Sequence, residues 1–230
     1  MNDFLYLECP CTSFPRSFAR DYKETYLYPP PSTIYGFLLS LVGEEDLTAH
    51  LGVKIALGMI GETPPISRIV RKQRHHKFSK THQGIYPPSQ FSIPNFQELL
   101  TDLKIVIKLE SDAELAKITL AQRVAIALSN PSEIKRFGGL SLGESWALIN
   151  GLRKYRPEDG KVSWLIRDNR GLIGLPVWIN RETTQGIFQR FRLTESEAFE
   201  DNCWIEIKAP VVEKKTQSRS KTKRSPKATN

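Results

Sequence analysis

The stretch YPPPSTIYGFLLSLVGEE, residues 28 to 45, admits one local structure. Proline fixes φ near −65° and lacks a backbone N–H, so three in succession cannot lie inside a helix but can lead into one. Beyond them Ile34, Phe37, Leu38, Leu41 and Val42 recur at i, i+3, i+4, i+7 and i+8, the stripe of an amphipathic helix. Gly43 stands where such a helix ends, and Gly36 inside it predicts close approach of a neighbour, since glycine otherwise only weakens a helix. One apolar face must cover something, and the flanking segments say what. Asp3–Cys9 alternates like a strand, and 53–60 and 104–110 (KIVIKLE) read the same way. Thr119 and Gln122 have capping-box spacing and open a second helix through Leu128, which Asn130-Pro131 stops. WALINGLR, 146–153, follows as a strand. The order strand, helix, strand, insertion, strand, helix, strand predicts an α+β, ferredoxin-like antiparallel sheet with two helices on one face.

The insertion, Thr63 to Gln97, differs in kind from what surrounds it. It holds six Lys/Arg, three of the four histidines and no Asp or Glu, and five of its cations fall within 71–80 (RKQRHHKFSK). A solvated surface normally mixes its signs of charge, so a long hairpin of one sign points to a polyanion. The candidates are Arg68, Arg71, Lys72, Arg74, Lys77 and Lys80, with His75 and His76 among them. Metal ligation by His75, His76 and His82 is disfavoured, because no carboxylate or cysteine lies close in sequence. Acid/base cleavage of RNA is the sharper alternative, a histidine being able to shuttle a proton near neutral pH. Plain phosphate contact needs less geometry and is the preferred reading.

Two further stretches suit the same ligand. SFPRSFARDYKETY, 13–26, interleaves Arg16, Arg20 and Lys23 with Phe18, Tyr22 and Tyr26, cations for phosphates and rings for bases. RFGGLSLGES, 136–145, carries three glycines in ten residues. It lacks the Gly-Lys-Ser/Thr ending of a P-loop, lacks GxGxxG, and follows a helix where both motifs follow a strand. Two readings of it stay open, a tight helix-to-strand connection and a backbone laid against an RNA strand.

The rest of the chain is quieter. After Gly160, runs at 163–167, 175–180, 187–193 and 203–208 predict a small β-rich region over 161–209, following a first domain over 1–160. The four tryptophans, 146, 164, 178 and 204, read as packing residues, and Glu44-Glu45-Asp46 as a polar helix end. Residues 210–230 are too polar to bury a core and are expected to be disordered. Of the net charge of +8, residues 213–230 supply +6, so the tail dominates the basic balance. Cys9, Cys11 and Cys203 form neither a disulfide framework nor a zinc pattern. No apolar run approaches the ~18 residues of a membrane span, and the N-terminus lacks signal-peptide features. A cytoplasmic protein without membrane contact is expected.

Taken together, the arginine-bearing loop, YPPPSTIYGFLLSLVG, the basic insertion and NPSEIKRFGGLSLGES resemble the CRISPR-associated family-five subunit, a RAMP protein of type I Cascade complexes. The likeness covers Asp3 to Arg153 and is nearest the type I-B branch. It implies a ferredoxin-like (RRM/RAMP) core, a β-hairpin thumb and a small C-terminal β-rich region, with no cofactor and no metal. It implies a non-catalytic subunit that caps the Cascade backbone and holds the 5′ handle of the CRISPR RNA. The backbone RAMP subunit, the large subunit and, through the thumb, target DNA are the further partners it implies. Carried over by position, Arg16, Arg20, Lys23 and Tyr26 would meet the handle and Arg68 to Lys80 would form the thumb. Arg136, Gly138, Gly139, Ser141 and Gly143 would lie beside the RNA. One branch of the family, type I-C, cuts precursor RNA without a metal, which keeps an endoribonuclease as the alternative.

Overall fold

The computed structural model describes residues 4–16, 22–74, 92–180, 183, 185–194 and 198–210. Among these residues ten strands and two α-helices follow one another as β1 (Leu5–Thr12), β2 (Tyr22–Lys23), α1 (Pro31–Leu41), β3 (Lys54–Ile60), β4 (Ile66–Arg74), β5 (Ser92–Glu110), α2 (Leu120–Ser129), β6 (Gly151–Lys154), β7 (Val162–Arg167), β8 (Ile173–Ile179), β9 (Gly186–Leu193) and β10 (Ile205–Glu206). The main path of the sheet runs β6-β1-β5-β3-β7-β9-β8, with β10 on β3 and both β2 and β4 on β5. Every pairing is antiparallel except the short one of β2 with β5. The C-terminal strands therefore continue the sheet through β7 on β3.

The first helix forms where the prolines dictate. Pro30 caps α1 in an extended conformation (φ −61°, ψ 138°) and Pro31 occupies its first turn. Ile34, Phe37, Leu38 and Leu41 are buried against the sheet, and Tyr35 and Leu39 widen the stripe. Tyr35 reaches β8, its ring 6.2 Å from that of Trp178, while its hydroxyl donates to the carbonyl of Leu47. Burial pushes the Tyr35 phenol well above its ordinary range. No described atom approaches a Cβ built at Gly36 within 4 Å, so the close contact expected there is absent and that face of α1 is open.

The capping box of α2 forms as its spacing predicts: Thr119 Oγ1 accepts from Gln122 N–H while Gln122 Oε1 accepts from Thr119 N–H. A buried polar chain then ties α2 to α1. Glu114 accepts from Leu120 N–H at the start of α2 and meets His50 Nδ1, both side chains being almost wholly buried. Arg123 lies 2.8 Å from His50 Nε2, and it donates to Glu44 and to the Val42 carbonyl. Its guanidinium hydrogen bond holds the Glu44 carboxyl below the usual range, so this acid at the helix end is a clamp.

Both faces of the central strands are covered. Ile105, Val106 and Ile107 of β5 are buried in succession, whereas a half-exposed sheet alternates. Leu103, Ile105 and Ile107 join the core under the helices. Val106 faces a second cluster with Tyr6, Ala56, Val162, Trp164 and Cys203, against which Phe4, Phe199 and Trp204 pack. A Cβ at Gly58 of β3 would stand 2.2 Å from Val162 Cγ1 and 3.2 Å from the Trp164 ring, so only glycine lets this layer close. Cys9 and Cys203 are buried free thiols, and burial raises that of Cys9 to about 11.

Three strand limits depart from the pattern in the sequence. The segment 146–150 is not a strand: it folds back on 140–142, with Leu142 N–H donating to Ala147 and Ile149 N–H to Leu140, and pairing begins only at Gly151. β5 starts at Ser92, not Lys104, because Pro94, Asn95, Gln97 and Glu98 mask its extended character. The stretch 203–208 holds a two-residue strand, since a 3-10 turn at Asp201–Cys203 runs into it.

Edge strand β6 is held by charge as well as by its ladder. Arg153 stacks 4.2 Å from the Tyr6 ring centroid and grips both carboxylate oxygens of Asp159, which also accepts from Arg156 N–H. Hydrogen bonds from Arg153 lower the Asp159 carboxyl to about 2. An unfolded aspartate titrates near ~3.9, so the stabilisation is complete above that pH and disappears as pH falls through the folded value. The melting temperature of Asp159→Asn should therefore lie below wild type at pH 7, and the gap should close between about pH 4 and pH 2. Paired thermal melts across that range check the expectation; a gap independent of pH would contradict it.

Candidate nucleic-acid interface

β4 and the first half of β5 form an unbroken antiparallel ladder from Ile66↔Leu100 to Arg74↔Ser92. Alternation places Ile66, Arg68 and Val70 on one face and Ser67, Ile69 and Arg71 on the other. The first face stays open: Val70 is 62% and Phe96 42% exposed, and the Arg68 side chain is 72% exposed. At the base of the ladder Thr101 N–H donates to Pro65, and Asp102 adopts φ +54°, the one non-glycine in the left-handed region among the described residues. Its carboxylate pairs with Lys104 across this bend.

The arginine-bearing loop docks on the same strand. Pro15 bridges Thr25, Tyr26 N–H donates to the Phe14 carbonyl, and β2 then runs beside Phe96 and Gln97 of β5. Glu98 is the acid that gathers it. Its oxygens accept from the Tyr22 hydroxyl at 2.7 Å and from Thr25 N–H at 3.1 Å, with Arg68 Nε 3.8 Å away. That hydrogen bond raises the Tyr22 phenol above its ordinary range. Arg16 pairs with Glu24 at 3.3 Å and lies over the half-buried Tyr26 ring. Lys23 is half-buried in β2.

The glycine stretch comes to the same place from the other side. Leu142 is fully buried and its carbonyl accepts from Thr12 Oγ1 at the end of β1. At Gly143 (φ +85°) a Cβ would lie 2.4 Å from the Ser13 carbonyl oxygen, so what approaches this glycine is the protein's own chain. Gly138 also has positive φ, +76°, but faces open space, and Gly139 lies outside the left-handed region with only the Leu148 side chain near. Arg136 and Phe137 before it are exposed, Phe137 completely, and Ser141 is half-buried in a bridge to Leu148. Glu144 closes the junction: it accepts from buried Gln97 at 2.8 Å and from the Trp146 indole, and Arg71 lies 4.0 Å away over the Trp146 ring.

The structure thus brings Arg16, Lys23, Tyr26, Arg68, Arg71, Ser141 and Gly143 to one end of the sheet, with Gly138 and Gly139 leading up to it. Arg136, expected with them, lies instead with Phe137 beside the C-terminal half of α1, lining a pocket with Gly36, Leu39, Gly43 and Glu44. Lys72 and Arg74 continue β4, while Arg20, His75, His76, Lys77, Lys80 and His82 lie outside the described residues or, for Lys72 and Arg74, are described by their backbone alone. Sequence reasoning missed Glu98, Gln97, Glu144 and Phe137. Glu98 had a signal, being the first acid after thirty-five residues without one; Phe137, next to Arg136, had a weaker one. Among the described residues no three His, Cys, Asp or Glu side chains group so as to hold a metal ion, and no helix is long and apolar enough to cross a membrane.

The chain is 36% identical over 186 residues to the CRISPR-associated protein Cas5 of Myxococcus xanthus (strain DK1622), the match spanning 79% of this chain and 85% of that protein. The chain belongs to the CRISPR-associated Cas5 family. No family model matches it. Among solved structures, a chain described as "CRISPR RNA-guided surveillance complex" has the same fold, with a TM-score of 0.57 at 13% identity over 84% of this chain and 89% of that one. A further one, "Crystal structure of Cas protein", gives a TM-score of 0.48 at 15% identity over 84% and 93%. The family named from the motifs is the family that the Cas5 match shows.

The two positive-φ glycines of the stretch are expected to behave differently. Gly138→Ala meets only the backbone cost of the left-handed region, ~1–2 kcal/mol. Gly143→Ala adds a clash with the Ser13 carbonyl, a further ~1–3 kcal/mol typical of overpacking. Chemical denaturation of the two variants measures the difference, and equal losses would show that the loop does not seat on β1.

Proposed function

We propose that this Cas5-family chain is a non-catalytic CRISPR RNA-binding subunit that caps a Cascade backbone and holds the 5′ handle of the guide. The observation that carries the reading is the convergence at one end of the sheet of three segments distant in sequence, each with cations or exposed rings. The structural neighbour's description as an RNA-guided surveillance complex supports the same class of ligand. The order β6-β1-β5-β3, with α1 and α2 as the crossovers, supports reading this part as a ferredoxin-like RAMP core. On this reading β4 and β5 are the stem of the thumb, whose cations continue to Lys80. The backbone RAMP subunit and the large subunit are its protein partners, target DNA is met at the thumb, and the complex is of type I-B character.

Within this assignment the parts have separate tasks. Arg68, Lys72 and Arg74 neutralise phosphates, which sets affinity and salt dependence without reading sequence. Phe137 offers a ring for a base, and Gly138-Gly139 lets the strand lie close to backbone. Glu98 and Glu144 touch no RNA; they set the angles of the two loops to the hairpin.

Purifying the protein with its co-expressed neighbours and sequencing the bound RNA tests the assignment; absence of repeat-derived RNA would overturn it. In binding assays Arg68→Ala/Lys72→Ala/Arg74→Ala should weaken all RNAs alike and flatten the salt slope by ~0.7 per lost contact. Phe137→Ala should cost ~1–3 kcal/mol of binding, the range for one stacked base, with unchanged melting behaviour. Repeat RNA incubated with the purified protein in EDTA should stay intact. Discrete cuts abolished by His75→Ala, His76→Ala or His82→Ala would replace this reading with the endoribonuclease.

A further inference from the structure

The face of the sheet opposite the helices is closed over its central strands and open over β9. β7 starts at the hairpin end, where Val162 pairs with Ile60, and runs to Arg167 at the other end of the sheet. Trp164 and Ile166 belong to the cluster that Cys203 joins and against which Phe199 and Trp204 pack. Ile166 pairs with Arg192, so alternation sets Arg192, Arg190 and Phe188 of β9 on that same face. There the Phe188 ring is 48% exposed. A Cβ at Gly186 would stand 3.0 Å from Phe188 Cε2, so the ring lies along the strand over that glycine. Across the ladder Gly174 pairs with Arg190, and no described atom comes within 4 Å of a Cβ built on it.

A cavity of about 510 Å³ at this place is lined by Arg167, Asn169, Phe188, Gln189, Arg190 and Asn202, with no acid. Register turns Arg167 and Gln189 toward the opposite face, which leaves Phe188 and Arg190 as its strand side chains and Asn169 and Asn202 at its border. The turn that carries Asn169 is seated on β9. A Cβ at Gly171 would lie 2.2 Å from the Phe191 carbonyl oxygen, and Asp168 N–H donates to the Arg190 carbonyl. Two neighbouring acids are engaged within the protein. Asp168 accepts from Arg170 N–H and pairs with Arg192 at 3.1 Å, and Glu200 accepts from the Asn202 amide. Arg190 has no carboxylate partner among the described residues.

We propose that this face is a second nucleic-acid site, which holds a nucleotide of a single strand by stacking its base on Phe188 and meeting its phosphate with Arg190. An exposed ring on an open sheet face, with a guanidinium two residues along, offers what a single-stranded nucleotide presents: a base with a π-face and a phosphate. The two positions lie about 7 Å apart along the strand, within the reach of one nucleotide. Composition agrees. Residues 162–194 hold five arginines, no lysine and two acids, and a guanidinium both grips phosphate through paired donors and stacks on rings, where an ammonium is only a point charge. A protein segment is the poorer match, because the lining offers one large apolar side chain and the core of a protein interface needs several. The site lies at the end of the sheet away from the hairpin, so it goes beyond the handle-holding function and does not depend on it.

The full chain, purified with its co-expressed neighbours, is loaded with oligonucleotides of one sequence carrying 4-thiouridine (RNA) or 4-thiothymidine (DNA) and irradiated. An adduct on the tryptic peptide 182–190, which contains Phe188, is expected from at least one of the two. Whichever gives it names the source of the strand. Adducts confined to the hairpin and the arginine-bearing loop would overturn the proposal. Benzoylphenylalanine in place of Phe188 in the same complex probes the other occupant, and a crosslink to a partner protein would also overturn it. As a second measurement, Phe188→Leu is added to the Arg68→Ala/Lys72→Ala/Arg74→Ala chain. Residual binding to the oligonucleotide that gave the adduct should fall about tenfold, and Phe188→Trp in the same background should not lose it, with unchanged melting behaviour for both. Arg190→Ala should flatten the salt slope by ~0.7. Equal binding of the Leu and Trp variants overturns the proposal. The triple hairpin variant is scored separately: its failure to weaken binding contradicts the function proposed above and leaves Phe188 to decide this one.

Discussion

A single strand belongs to two structures at once, and the rest of the molecule is arranged around that fact. The C-terminal half of β5 lies between β1 and β3 in the middle of the sheet; its N-terminal half pairs with β4 and β2 beyond the edge of the core. Nineteen extended residues cannot do both on a flat course, because a twisted sheet and a projecting ladder diverge. The change of course falls at Asp102, which accepts a left-handed backbone conformation that few residues other than glycine tolerate. Buried Leu100 and Leu103 hold the strand on either side of it. The hairpin's direction is therefore set by the core, and cations on it are presented at a defined place.

Acids organise this basic surface. Glu98 and Glu144 lie at the foot of the hairpin, and each collects donors from a different loop: the tyrosine and backbone of the arginine-bearing loop for Glu98, an amide and an indole for Glu144. Charge-assisted hydrogen bonds of this kind are stronger than neutral ones and more demanding in geometry. On the proposed reading, this surface meets phosphate, and carboxylates left pointing outward would repel that ligand. Glu98 and Glu144 are engaged by protein donors, while the Arg68 side chain remains exposed.

How legible each part was follows the range of the forces involved. α1, α2 with its capping box, and strands β3, β7 and β9 were readable within about two residues, since proline geometry, capping and alternation act between near neighbours. The glycine stretch was readable as special but not as to why. Its two positive-φ glycines have different surroundings, Gly143 against Ser13 and Gly138 in the open, and Ser13 lies 130 residues away in sequence. WALINGLR misled because Trp146, Leu148 and Leu152 alternate convincingly, whereas its first half is held by contacts to Glu144 and Leu140 that alternation does not encode.

By itself the sequence determined the element types, the one-signed insertion and, through motifs spread over two-thirds of the chain, the Cas5 family. Those properties are local or compositional, carried by φ restrictions, apolar periodicity and counts of charge. Tertiary structure alone decided which loops share an end of the sheet, which acids hold them, and that Lys108 and Arg153 turn to the ring-lined face of the sheet away from α2. These depend on strand order and register, where a shift of one residue would turn every side chain of a strand to the opposite face. No stretch of ten or twenty residues contains that information, because the pairing of β5 with four different strands is fixed only when the whole sheet closes.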